Sequence, residues 1–417
     1  MFVTKYLPEP VCVACRVLCS RPAAEVAGMV ARGLGPARGD RADPIDEPLH
    51  SSQVRASSMD IAARRLHSQR LAGNGLEGPA GVVGWLGAVQ AQDYPAATWA
   101  LAERSRGVTA AQVDRLLDAG AILRTHVLRP TWHLVLPEDI RWLLALSGPR
   151  VRAGIAGRHR QLELAPEVVT RAESVMTAAL SAGAALTRAE LGEALQAAGI
   201  APDGQRLPHL ILAAELDALL VSGPRRGRQF TYTLLDARVP PSPPVEEAEA
   251  LSRLALRYFR SRGPAQLQDF VWWAGLTQAA ARRGLAGAAD RLASEVIGGG
   301  TYWFDPGTPP RRGGAVVAHL LPNFDELTVA YRDRSALDHP DGRFDPALFS
   351  FGSVLGNVVV VGGRVRGAWR RVLGRQTLRV EVRLLGPLSS AERTAVARAA
   401  ARLGDFHERG VELSWEG

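Results

Sequence analysis

Lysine is almost missing from this 417-residue chain: Lys5 is the only one among 50 basic residues, so arginine carries nearly all the positive charge. A mechanism that needs a lysine nucleophile or Schiff base therefore has no candidate after position 5. Cysteine is as scarce. Cys12, Cys15 and Cys19 all lie near the start, so the body of the chain cannot hold a disulfide framework, and a reducing cytoplasm fits. Their CxxCxxxC spacing falls one ligand short of a closed zinc site, because no histidine follows before His50. No metal and no cofactor is expected. Long apolar runs are lacking too: nothing approaches a membrane span, and Arg16 interrupts the signal-like stretch at residues 11–19. Neither export nor a membrane partner is expected.

What is present is a large apolar fraction, 47%, and a net charge of +8. The first suffices for packed cores in several domains. The second favours a polyanionic partner, since clustered cations gain by releasing counterions from a phosphate backbone. Residues 1–58 stand apart. They hold all the cysteines and a mixed-charge stretch from Ala37 to Pro44 without sustained periodicity, and read as a disordered tail or an upstream extension. Met59 opens the first helix, with Ile61, Leu66 and Leu71 among arginines.

A helix, helix, hairpin grammar follows. Thr187 to Glu190 spells a capping box, Leu191 and Leu195 stack one turn apart, and Leu207, Leu210, Ile211 and Ala214 keep helical spacing. Gly223 to Arg228 then joins Val221-Ser222 to a strand in which Phe230, Tyr232 and Leu234 alternate. That order is the winged-helix pattern; a helical bundle with an arginine-rich loop is the competing reading. The Pro-rich run Val239–Pro244 marks a boundary. Beyond it Leu251, Leu254, Ala255, Tyr258 and Phe259 form a helical face, Gln266–Ala274 reads as a helix, and Thr277 caps another running through Arg291. From about Gly314 the chain turns strand-rich, over Val316–Leu321, Asn357–Val361, Arg364–Arg370 and Thr377–Leu384, with a closing helix at Ser390–Leu403. The expected fold is α+β: tandem winged-helix units at 59–160, 161–238 and 247–310, followed by a small β-barrel-like domain at 311–417.

The most specific signals are Gln90-Ala-Gln92 and, some thirty residues on, Leu123-Arg-Thr-His-Val-Leu-Arg-Pro-Thr-Trp-His133. With Tyr258–Leu276, Leu320-Leu-Pro-Asn-Phe-Asp-Glu326, Tyr331-Arg-Asp-Arg-Ser335 and Gly363–Arg371, they resemble, in order, the AlkZ-like and YcaQ-like family of winged-helix DNA glycosylases over residues 59–417. Pro130 departs from the glycine common there, and Gln92 places the chain on the AlkZ-like side. The resemblance implies a monofunctional glycosylase acting on alkylated purines in damaged double-stranded DNA, with Gln90 and Gln92 as the catalytic pair. It implies a cytoplasmic, nucleoid-associated monomer.

Amides suit such a substrate. An N7-alkylated purine is already cationic and leaves as a neutral base without a proton, so the enzyme needs only to place a water and tolerate an oxocarbenium-like transition state. An amide carbonyl accepts from water and its NH2 donates to sugar or phosphate. Two residues apart diverge by about 200° on a helix but share a side in an extended segment, so Gln90 and Gln92 converge only if the helix ends near Val89. Asp93 is a second candidate base. The candidate DNA contacts are Arg124, Arg129, Thr131 and His133 on the following hairpin, the wing arginines Arg225, Arg226 and Arg228, and Arg332 and Arg334, with His126 a weaker one; Asp325 is a weak catalytic candidate. A non-catalytic winged-helix regulator is the competing function, although the Leu- and Ala-rich second helix of the 187–235 unit has few side chains suited to base edges.

Overall fold

The computed structural model describes residues 58–73, 75–307, 316–337 and 356–416. The cysteines, the rest of the tail and the strand-rich start at Gly314 lie outside the described residues. After α1 (Ser58–Ser68), one wiring recurs three times. Its first copy is α2 (Gly78–Leu86), β1 (Val89–Gln90), α3 (Tyr94–Ala102), α4 (Ala110–Asp118), β2 (Leu123–His126) and β3 (Trp132–Val135). The long α5 (Pro137–Gln161) leads to the second copy: α6 (Pro166–Ala179), β4 (Leu186–Thr187), α7 (Arg188–Ala197), α8 (Arg206–Leu216), β5 (Leu220–Ser222) and β6 (Thr231–Leu234). A short α9 (Leu235–Arg238) and the Pro-rich segment precede the third: α10 (Glu247–Arg262), α11 (Leu267–Ala274), α12 (Gln278–Ala286), β7 (Ala293–Ile297) and β8 (Gly300–Phe304). In the first two copies the last strand lies between the others, β1-β3-β2 and β4-β6-β5. In the third, Ala265 bridges Trp303 of β8 and so takes the first strand's place.

Local chemistry sets these boundaries. Asp93 caps α3 by accepting from the Ala96 amide, Thr109 and Thr187 close reciprocal capping boxes with Gln112 and Glu190, and Thr277 caps α12. Helix α12 stops at Ala286, and a separate single 3₁₀ turn follows at Ala289–Arg291, so the expected helix through Arg291 is shorter than its spacing suggests. Gly275 ends α11 in the left-handed region, φ 62, where a side chain would sit 2.7 Å from the Leu128 carbonyl oxygen.

The C-terminal strands β9 (Ala318–Leu321), β10 (Val358–Val361), β11 (Arg364–Leu373), β12 (Thr377–Leu384) and β13 (Gly410–Glu416) form one sheet in the order β13-β12-β11-β10-β9. The turn α13 (Glu326–Val329) follows β9, and α14 (Ser390–His407) crosses from β12 to β13, which therefore pairs in parallel. The expected barrel is corrected here. Among the described residues β9 and β13 do not pair, so the sheet stays open, its β9 carbonyls at Leu320 and Leu321 taken by the indoles of Trp99 and Trp369. The sheet shares its apolar cores with earlier elements: Val82 and Trp99 pack with Val359, Trp369 and Phe406, and Leu254 and Tyr258 with Tyr331 and Val358.

Candidate active site

Helix α2 ends at Leu86, with Gly87 at φ 78, and the chain runs extended through Val89 and Gln90 before bending at Gln92-Asp93. The helix therefore stops before both glutamines, Gln90 in β1 and Gln92 in the bend that follows. Strand β1 pairs with β3 so that Gln90 faces His133, and His133 in turn faces Thr125 on β2. Directly opposed residues lie on one face, so Gln90, His133 and Thr125 share it. The Ala91 amide continues the ladder to the Trp132 carbonyl.

The hairpin turn points inward. Leu128 adopts φ 63 and seats its carbonyl against Gly275, and Arg129 then reaches back to donate from Nη2 to Gln90 Oε1 at 3.1 Å. On the other side the Gln90 backbone amide donates to Glu326 Oε1 at 3.0 Å. Glu326 is fully buried, and its second oxygen accepts from Arg262 Nη2 at 2.6 Å and Nε at 3.1 Å and from the Trp273 indole at 3.0 Å. Burial opposes its charge, but Arg262 more than offsets this and holds the carboxyl below its usual range. Asp325 takes a fork from Arg104, 2.8 Å at each oxygen, and Arg104, Gln69, Tyr331 and the Arg262 carbonyl continue the chain of bonds. A buried polar scaffold spanning three distant segments thus fixes the backbone at Gln90.

The face it supports is poorly satisfied. Gln92 Oε1, Thr125 Oγ1, Thr131 Oγ1 and His133 Nε2 are buried without a hydrogen-bond partner among the described residues. Each such group can take a hydrogen bond from a water or a ligand. His133 is neutral: burial, then the Arg129 charge, pulls it down to about 3. Its Nδ1 donates to the Thr131 carbonyl at 2.9 Å, which leaves Nε2 with a lone pair. Arg129 and Arg334 are both pushed down by burial and lie close enough for Arg334 to lower Arg129 further. Both Nε atoms lack a partner among the described residues. The arrangement can hold an anion on two guanidiniums while offering acceptors beside it.

The other expected residues fall elsewhere. Arg124 is 6% exposed, lies between Trp132 and Phe230 at 4.3 Å from each ring, and donates to the Ala91 carbonyl, so its guanidinium is committed to packing. His126 pairs with the buried Glu215 and stacks on Trp132. Asp93 is the α3 cap and Asp325 the Arg104 partner, which gives both a structural duty. Arg225 pairs with Asp114 over the Tyr94 ring, and Arg226 pairs with Glu190, while Arg228 is exposed. Arg332 is exposed and its amide is held by Asp269. Sequence reasoning passed over Glu326 and Arg262. The signal was weak: Glu326 precedes Leu327 and follows the apolar strand residues Leu320 and Leu321, and an acid carried into a core needs a buried partner.

The family model of the AlkZ-like DNA glycosylases matches residues 83–406. Among solved structures, Streptomyces sahachiroi DNA glycosylase AlkZ is similar in fold, with a TM-score of 0.68, 22% identity, and coverage of 86% of this chain and 100% of that one. No curated protein sequence matches.

Proposed function

We infer the reaction from one premise: the chain belongs to the AlkZ-like DNA glycosylase family and is a DNA glycosylase. Its substrates on this reading are alkylated purines of the N7 type, bulky or crosslinked ones included, in double-stranded DNA. It works as a cytoplasmic, nucleoid-associated monomer. Family membership sets the regulator aside.

One observation carries the substrate reading: of the two carboxylates beside the motif, Glu326 is held at both oxygens by the Gln90 amide, Arg262 and Trp273, and Asp93 has Oδ1 on the Ala96 amide as the α3 cap. What remains on the face is amide, hydroxyl and neutral imidazole. Such a set has no acid to protonate a leaving base. It fits a base that carries its own positive charge. The C1′–N9 bonding pair then passes to the base, which departs neutral, water adds to C1′, and the water's proton goes to solvent. Gln92 Oε1 accepts from that water, while Gln90 and Arg129 position sugar or phosphate. With no lysine after position 5, water is the nucleophile and an intact abasic site the product.

The three repeats serve as winged-helix units, and the 223–230 hairpin, with Arg226 and Arg228, lies against phosphates together with Arg332 and Arg334. The test is incubation with a duplex carrying N7-methylguanine, followed by alkali. Strand breaks should appear only after alkali, above a no-enzyme control, and borohydride should trap no protein–DNA adduct. A trapped adduct would show an amine nucleophile, and no excess of breaks would exclude this substrate.

A further inference from the structure

A solvent-facing cleft of ≈ 440 Å³ adjoins the glutamine hairpin, walled by the tip at Leu128–Pro130, one side of α5, the middle of α8 and Gly275. Its floor is apolar, from Leu128, Val151, Ile155 and Leu212. Arg129, Arg150 and Arg158 line it, and no acid does. Nε of Arg129, Nε of Arg158 and Nδ1 of His209 are buried without a partner among the described residues. Burial lowers Arg129 and Arg150, so these cations lack full solvation and gain from an anion. The larger cavity, ≈ 620 Å³ and also lined by α5, differs: Glu163, Glu173 and Asp217 there face Arg152 and Arg160 and offset the charge.

We infer that the 440 Å³ cleft takes one nucleotide of the bound DNA other than the one excised, its base on the apolar floor and its phosphate on Arg150 and Arg158. Gln90, Gln92, Thr125 and His133 do not line the cleft, so it lies beside the face assigned to the target base and its occupant is another nucleotide. The three-arginine lining attracts a neutral base joined to phosphate, in which an apolar face and acceptor oxygens occur together. Arg129 belongs to both places, bonding Gln90 while lining the cleft, so the extruded nucleotide lies beside the site of attack. The inference rests on the chain being a DNA glycosylase and not on which lesion it excises.

The test needs no excision. The full chain is titrated with a duplex holding a tetrahydrofuran abasic analogue and 2-aminopurine placed in turn opposite it and at either flank. Fluorescence should rise at one position as that base leaves the stack. Gly154→Leu should abolish the rise without lowering the melting temperature, because a Cβ at 154 meets nothing within 4 Å and the added chain enters the cleft. Should that variant melt early, the surface pair Arg150→Gln with Arg158→Gln decides: it should lose the rise and weaken duplex binding about tenfold. No rise at any position, or a rise that survives in a stable variant, would overturn the inference. Failure to excise N7-methylguanine would leave this result intact.

Discussion

The first and second repeats share an element order and a strand order, yet their hairpins do opposite things. The β2–β3 turn is short, carries Leu128 in the left-handed region against Gly275, and sends Arg129 inward to Gln90. The β5–β6 turn is longer and exposed, and its Arg225 and Arg226 are paired with Asp114 and Glu190. Around the first hairpin five buried polar atoms, Arg129 Nε among them, have no partner among the described residues; around the second, Arg225 and Arg226 are answered by carboxylates. One scaffold thus yields a buried polar face or an exposed, charge-paired arm, according to where the tip points and what lies behind it. Behind the first stands Glu326, from a part of the chain that no local pattern connects to Gln90.

Breaking that support should give the largest effect. Glu326→Ala leaves Arg262 charged and buried with no counterion and frees the Gln90 amide, so a loss of about 3–5 kcal/mol of stability is expected in denaturant unfolding. Arg226→Ala, at a half-exposed pair of the second hairpin, should barely move the midpoint. Similar losses from both would erase the distinction. Next come the amides themselves. Gln90→Ala and Gln92→Ala should each slow single-turnover excision by about 10²–10³, as loss of one positioning group typically does, with duplex affinity nearly unchanged. Full activity in the double variant would move the reaction off this face.

The histidines sharpen the comparison through pH. His133 of the first repeat and His209 of the second are pulled down to about 3 and about 4, chiefly by burial. The unfolded chain therefore binds protons that the folded chain refuses below the ordinary value of 6.5. Stability is full above that pH and declines as pH falls towards the folded values. His209→Gln should flatten part of the decline of melting temperature between pH 6.5 and 4. Because His133 is already neutral, excision should show no inflection near 6.5 from this residue. An inflection that vanished in His133→Gln would contradict its assigned state.

That the helix ends before Gln90 and Gln92 was legible from Tyr94-Pro95 downstream, and it ends at Gly87. The capping box at Thr187 and the strand-rich stretches that became β10, β11 and β12 were legible from equally local signals. Non-local partners were not. Arg124 reads as a phosphate contact until Phe230, from another repeat, stacks on it; Asp93 reads as a base until its carboxylate is seen on the Ala96 amide. Barrel closure failed on an edge. Helix α14 returns the chain so that β13 adds in parallel to β12, and nothing in the alternation of the strands encodes that crossover.

The smallest effect separates arginines within the second hairpin. A cation that neutralises a phosphate lowers the slope of log affinity against log salt by about 0.9 when it is removed, whereas one engaged with a carboxylate contributes little to counterion release. Arg228 is exposed, and Arg225 has a side chain 15% exposed and paired with Asp114. Arg228→Ala should therefore lower the slope by about one unit while leaving the melting temperature alone. Arg225→Ala should do the reverse, since it strips Asp114 of its partner and Tyr94 of the cation over its ring. Titration of an undamaged duplex across a range of salt, with each variant's melting curve alongside, reads both quantities. If Arg225→Ala changes the slope as much as Arg228→Ala, the pairing with Asp114 gives way when DNA binds, and the second hairpin, like the first, holds its charge for the ligand.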